Sequence, residues 1–320
     1  MSNSSLLKFS FIIPTLNEEE FIGGCLDSIA QQMHAHDELI VVDNGSSDQT
    51  TTLVRKLKRA VLEILPSANV AALRNRGAKL AQGDVFAFID GDCTLNPGWR
   101  DGAVEVLGPH SVAAAGAPVD LPTSAGWIPR AWWFARPSSD RQVPYLVAAN
   151  FAIKRDAFHE VSGFRPSLVT DEDTDIGTRL TAVGYRLIES PKLGVVHHDN
   201  PETLGDFYRK EQWHATSILQ TMRSQSLDKP MAMTFVFLLT VVIAFVGLVS
   251  GFVVSKGYLL FSLAIFLVPV TTSVYRIGQG ARWGQALQLL ILYCLFYTAR
   301  SSVILRRLTQ NSAGNQRIDR

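Results

Sequence analysis

The chain of 320 residues lacks the features that mark several large function classes. It has three cysteines, Cys25, Cys93 and Cys294, far apart and without zinc or disulfide spacing, which suits a reducing compartment. Net charge is only +1, which excludes nucleic-acid binding by bulk electrostatics. No Walker A loop, Gly-x-Gly-x-x-Gly after a strand, Gly-x-Ser-x-Gly or His-Glu-x-x-His is present. Met1 to Lys8 has no signal-peptide apolar core, so the leading domain is expected in the cytoplasm.

What is present divides the chain in two. Residues 1–225 have a mixed, periodic composition, whereas 226–320 are dominated by apolar runs that lift mean hydropathy to +0.13. Spans are expected at about 231–254 and 257–275, with a third helix at 285–305. The first carries no charge and is long enough for a ~30 Å hydrocarbon core. A hairpin of two spans keeps Arg276 and Arg282 on the cytoplasmic side, as the positive-inside rule prefers. A third full span would send Arg306, Arg307, Arg317 and Arg320 outside, so that helix is expected to be interfacial or partly inserted. The reading is a multi-pass protein of the inner (plasma) membrane.

The first hundred residues alternate strand and helix signals: strands at Phe9 to Ile13 (ended by Pro14), Leu39 to Val42, Val61 to Leu65 and Val85 to Ile89. Between them lie helical periodicities at Glu18 to Met33, after a capping Asp48, and at Ala71 to Ala81. This order implies an α/β fold with a mainly parallel sheet, whose ligands bind at the carboxyl ends of the strands. Thr15, Asp43 and Asp90 should therefore meet on one rim. Beyond Val112 a strand is expected at Ala148 to Lys154, helices at Arg155 to Val161, Asp173 to Ala182 and Thr203 to Met222, and a strand end at Val195 to His197. Trp127, Trp132, Trp133 and Phe134 suit core packing, or with Arg130 and Arg136 a loop at a membrane interface.

Asp90-Gly91-Asp92 ends the fourth strand. Two carboxylates one residue apart can share Mg²⁺ or Mn²⁺ against a diphosphate whose oxygens complete the shell, and Gly lets a ligand approach. The loop Pro14-Thr15-Leu16-Asn17-Glu18 and the carboxylate of Asp43 can read a base edge and ribose hydroxyls, or Asp43 can simply form the turn. Asp171, Glu172, Asp173 and Asp175 crowd one helix start, where acids meet the macrodipole but repel one another.

The ordered series Ile12 to Glu18, Val41 to Thr50, Leu73 to Gly77, Phe88 to Asp92, Ala149 to Arg155, Ser162 to Phe164 and Glu172 to Leu180 resembles the family 2 glycosyltransferases of the GT-A fold, over about Phe9 to Met222. The resemblance implies a Rossmann-like GT-A domain over 1–225 and a membrane domain over 226–320. It implies Asp173, from a Glu-Asp motif, as catalytic base, with Asp90 and Asp92 at the metal and His197 or His198 near it. Substrate-binding positions would be Pro14, Thr15, Asn17, Glu18, Asp43, Arg74 (to base or diphosphate), Asp90, Asn150 and Glu172.

The expected function is inverting transfer of one sugar from a nucleoside-diphosphate sugar, a UDP-sugar, to a membrane-associated acceptor such as a lipid-linked saccharide in envelope assembly. Glu211-Gln212-Trp213-His214 lacks the Arg-Trp pair of processive synthases, which argues for one sugar per encounter. The alternatives are a polyprenyl-phosphate glycosyl donor synthase, for which Arg130, Arg136 and Arg141 would supply basic groups, and a non-catalytic nucleotide-binding membrane subunit.

Overall fold

Phe9–Thr15 (β1) is entirely buried and carries parallel partners on both sides, Glu38–Asp43 (β2) and Val85–Ile89 (β4). This computed structural model describes residues 7–133, 137–217 and 229–315. The chain forms two compact units, residues 1–124 with 134–200, and residues 125–133 with 201–320.

In the first unit an eight-stranded sheet runs β3-β2-β1-β4-β8-β6-β9-β7, where β3 is Ala60–Ile64, β6 Val112–Gly116, β7 Arg141–Val143, β8 Asn150–Lys154 and β9 Arg186–Glu189. The pairs β1–β2, β2–β3, β1–β4 and β6–β9 are parallel, while β8 runs antiparallel to β4 and β6, and β7 antiparallel to β9. Helices Ile22–Ala30 (α1), Thr50–Lys56 (α2) and Val70–Leu80 (α3) link the first four strands. Two large apolar cores form, one around Phe9, Phe11 and Trp99, the other around Ile12, Phe88 and Phe158. The expected α/β, mainly parallel sheet is present.

Pro14 lies inside β1 rather than ending it. Pairing with β4 stops at Ile12, so the missing N–H of Pro14 breaks no rung on that side. The first helix starts at Ile22, not Glu18, because Asn17, at φ 57°, turns the loop and the Glu18 carbonyl accepts the N–H groups of Phe21 and Ile22. Asp48 precedes α2 by two residues and accepts from the backbone N–H and Oγ1 of Thr50. Sequence periodicity did not separate Cys93–Leu95 (β5), Trp99–Leu107 (α4), β6 or β9, which are short or wholly buried.

The second unit comprises Trp127–Trp132 (α5), Leu204–His214 (α8), Lys229–Val253 (α9), a 3₁₀ stretch Lys256–Phe266 leading into Leu267–Gly278 (α10), and Ala286–Asn315 (α11). Arg155–Glu160 (α6) and Glu172–Ala182 (α7) belong to the first unit. The amphipathic helix expected to Met222 ends as α8 at His214, followed by a 3₁₀ turn at Ala215–Ser217, and 218–222 lie outside the described residues. Among the described residues three helices, Met231–Val253, Lys256–Gly278 and Trp283–Arg307, are long and apolar enough to cross a membrane by length and composition. Trp132 packs between Phe207, Tyr293 and Phe296, with ring centroids 5.0, 5.0 and 5.4 Å away, whereas Trp127 is exposed. Phe134 and Arg136 lie outside the described residues.

Candidate active site

The carboxyl ends of β1, β2 and β4 meet as expected. Thr15 Oγ1 donates to Asp43 Oδ2 at 3.0 Å. The other bonds of Asp43 come from Gly45 N (2.9 Å), Ser46 N (2.8 Å) and Ser46 Oγ (2.5 Å), and its side chain is fully buried. Asp43 thus forms the Asx-type turn that was the alternative to base reading. The neighbouring loop is held by Asn17, whose N–H donates to Ser46 Oγ and whose Oδ1 accepts from Ser47 N at 2.9 Å.

Asp90-Gly91-Asp92 turns off β4 directly against that loop. A Cβ on Gly91 would stand 3.0 Å from Thr15 Cγ2 and 3.2 Å from Glu18 Cγ, so only glycine fits without displacement. Burial, followed by the charges of Asp92, Asp199, Asp90 and Asp48, pushes the Glu18 carboxyl up to about 8. Close anions of this kind favour a proton or a cation in their midst.

His197 reaches Asp92 from the strand expected at Val195 to His197, through pairing with β5, which sequence periodicity did not separate. Val195–His197 (β10) pairs antiparallel with β5, with His197 opposite Cys93, and this sets His197 Nε2 3.1 Å from Asp92 Oδ2. Asp92, Cys93 and His197 offer ligand atoms all within 4.8 Å of one another. Burial holds the Cys93 thiol well above its ordinary range, so the donors suited to a hard cation are the carboxylate and the imidazole. The Nδ1 of His197 is buried and has no hydrogen-bond partner among the described residues. His198 is turned elsewhere: its Nε2 lies 3.0 Å from Thr94 Oγ1 and its ring stacks on Phe21 at 6.2 Å. The two histidines expected near a metal are thus separated, and His197 alone joins the cluster.

Arg74, on α3, is only 3% exposed and binds two carboxylates that are far apart in sequence. Its Nη1 donates to Glu172 Oε1 at 2.6 Å and its Nη2 to Asp90 Oδ1 at 2.7 Å, with the guanidinium 5.7 Å from the Phe164 ring centroid. The acids at the start of α7 are divided between roles. Asp175 is buried between Arg165 (2.8 Å) and Arg179 (2.6 Å), and Arg179 also donates to Gly163 O, fixing the turn before the helix. Asp171 takes a left-handed φ of 65° as the N-cap residue. Among the described residues no arginine or lysine pairs with Asp173, whose Oδ1 accepts from Thr174 N. Burial and the neighbouring Glu172 charge raise its carboxyl to about 6, against an opposing pull from the Thr174 N–H and Arg74. Arg74 thereby joins the turn that bears Asp90 and Asp92 to the helix that bears Asp173.

Asn150 does not line this site. It is fully buried, accepts from Trp99 Nε1 at 2.9 Å and donates to the carbonyls of Leu193 (2.7 Å) and Ala117 (3.1 Å), so its substrate-binding assignment is corrected to a core amide. Pro14 is buried in β1. Of the basic residues considered for a lipid phosphate, Arg130 donates to Ala125 O within the second unit and Arg141 pairs with Glu189 in the first.

Comparison with known proteins identifies the family and the fold. The chain matches Glycosyl transferase family 2 over residues 10–165 and Glycosyl transferase family group 2 over residues 94–303. It is 30% identical over 222 residues to glycosyltransferase AglE of Haloferax volcanii, covering 65% of this chain and 72% of that one. Other curated relatives are longer, and the chain spans between 18% and 59% of three of them. Among solved structures it is similar to the mannosyltransferase PcManGT from Pyrobaculum calidifontis in complex with GDP-Man and Mn²⁺, with TM-score 0.58 and 19% identity over 92% of this chain and 87% of that one. A fragment of S. aureus TarS in complex with UDP-GlcNAc is similar with TM-score 0.51 and 18% identity, over 93% and 90%. These structures show the fold, a Rossmann-like GT-A domain. The chain belongs to the family 2 glycosyltransferases, enzymes that use nucleotide sugars.

Proposed function

We propose that the protein is a membrane-anchored, metal-dependent inverting glycosyltransferase that moves one sugar from a UDP-sugar to a membrane-associated acceptor, most simply a lipid-linked saccharide of the cell envelope. The observation that carries this reading is the Arg74 bridge, which ties the Asp90–Asp92 turn to the helix start that bears Glu172 and Asp173. Asp92 and His197 would hold a divalent cation of the Mg²⁺ or Mn²⁺ class. Such a cation supplies positive charge where the leaving diphosphate builds negative charge. The Thr15–Glu18 loop contacts the nucleotide, and Glu172 orients the sugar from the far side of Arg74.

Asp173 takes the proton from the acceptor hydroxyl as that oxygen attacks the anomeric carbon. The carbon–oxygen bond to the diphosphate breaks as the new one forms, so configuration inverts without a glycosyl-enzyme. A carboxyl raised to about 6 is ionised at neutral pH yet more basic than a free aspartate. The three apolar helices support an anchor that brings the cleft to a bilayer-bound acceptor. The test is Asp173→Asn: donor binding is retained and transfer is lost. Unchanged turnover would remove the base assignment.

A further inference from the structure

The third apolar helix is as long as the other two, yet its neighbours tell it apart. Lys229–Val253 and Lys256–Gly278 form an antiparallel hairpin. Cβ atoms placed on Gly247 and Gly251 would meet Phe261 and Leu259 at 2.5 and 2.4 Å, so the two segments cross closely near their far ends. There the apolar surface is bare, with Phe252 79% and Leu260 73% exposed, as a bilayer-embedded tip requires.

The contacts of α11 fall at the opposite end of the hairpin. Gln285 donates to Arg130 O, and Tyr293 packs on Trp132, whose carbonyl accepts from Arg276 in the last turn of α10 at 2.8 Å. Tyr297 stacks on Phe237, two turns into α9, and its hydroxyl lies 3.4 Å from Thr272. Ile304 is buried with Met231, at the start of α9, and with Ala215, just past α8. Over roughly 20 residues, about 30 Å of helix, α11 therefore begins beside the end of α10 and finishes beside the start of α9. Both places are the base of the hairpin. A span would instead run from the base to the tip.

The helix beside it confirms the depth. Glu211 and Gln212 of α8 bind Arg300 (3.1 Å) and Ser302 (2.8 Å), and α8 also carries Asp206, Arg209, Lys210 and His214. Charged groups are costly at the bilayer centre, so α8, and the part of α11 along it, stay out of the hydrocarbon core. On the remaining surface of α11, Leu287, Ile291 and Leu305 are exposed and lie on one helical stripe.

We infer that α11 does not cross the membrane but lies in the head-group layer across the base of a two-span hairpin. Its exposed stripe meets acyl chains, and Arg282, Arg306 and Arg307 face anionic head groups at the base of the hairpin. This rests on the anchor reading proposed above and extends it to the position of each helix.

The experiment is sidedness labelling of the full-length protein in whole cells, with a membrane-impermeant maleimide. Cys294→Ser provides the background, Cys25 and Cys93 being buried. Ser255→Cys reports the hairpin tip and Arg307→Cys the end of α11. Labelling at 255 together with protection at 307 is the expected result. Labelling at both positions overturns the inference while leaving the anchor intact, and protection at 255 overturns both. A C-terminal epitope tag, removed by protease from inside-out but not right-side-out vesicles, gives the same answer without any substitution.

Discussion

Arg74 Nη1 lies 2.6 Å from Glu172 Oε1, and this contact ties α3 to the start of α7 across 98 positions of sequence. The same guanidinium holds Asp90 at 2.7 Å, so one buried cation balances two motifs. Removing it would leave Glu172, nearly buried, without its counter-charge, and breaking such a pair costs about 3–5 kcal/mol. Arg74→Gln should lower the thermal midpoint markedly and abolish transfer. Arg74→Lys should recover much of the stability but little turnover, because a point charge cannot serve two carboxylates in fixed directions. Equal activity of Arg74→Lys and the native protein would remove the bridging role.

The raised Asp173 carboxyl has a signature in pH. As a base it works ionised, so kcat/KM should fall about tenfold per unit below pH 6 and level off above it. Stability moves the other way. Because the folded value of about 6 exceeds the ordinary 3.8, protonation favours the fold: this contribution is complete below 3.8 and lost as pH rises through about 6. In Asp173→Asn, which is expected to lose transfer, that stability change should vanish. A rate profile flat from pH 5 to 8 in the native protein would contradict the assignment.

Cation dependence should divide the two histidines. Chelation should stop turnover and Mn²⁺ or Mg²⁺ restore it. His197→Ala, which removes an imidazole 3.1 Å from Asp92, should raise the Mn²⁺ concentration for half-maximal transfer by about tenfold or more. His198→Ala removes a contact to Thr94 and should leave that concentration within about twofold of the native value. Titrating transfer against Mn²⁺ in the two variants checks both statements, and a reversed ranking would move the cation site.

The second and fourth strands were legible because each runs into a turn with its own chemistry, Asp43-Asn44-Gly45 or Asp90-Gly91-Asp92, whereas Pro14, which reads as a stop, lies inside β1. The acidic cluster at α7 was legible as residues but not as roles. Which acid would take Arg165 and Arg179, and which would be left without an arginine, depends on how the expected turn at Gly163 packs against α7, which only tertiary structure sets. His197 could not be ranked above His198, since that choice follows from the register of two three-residue strands. Asn150 was misjudged for a related reason. A polar residue within a motif looks like a ligand contact until its partners prove to be an indole and two carbonyls in the core.

The correction at Asn150 can itself be tested. Its amide makes three buried hydrogen bonds, and removing it leaves Trp99 Nε1 and two carbonyls without partners. Leaving a buried polar group unsatisfied costs about 1–3 kcal/mol, so Asn150→Ala should be clearly less stable. The folded fraction should nonetheless keep the native KM for the nucleotide sugar, because no substrate atom meets that side chain. Thermal unfolding in detergent, paired with donor titration at a temperature where the variant is folded, separates the two effects. A KM raised tenfold with unaltered stability would return Asn150 to the binding site.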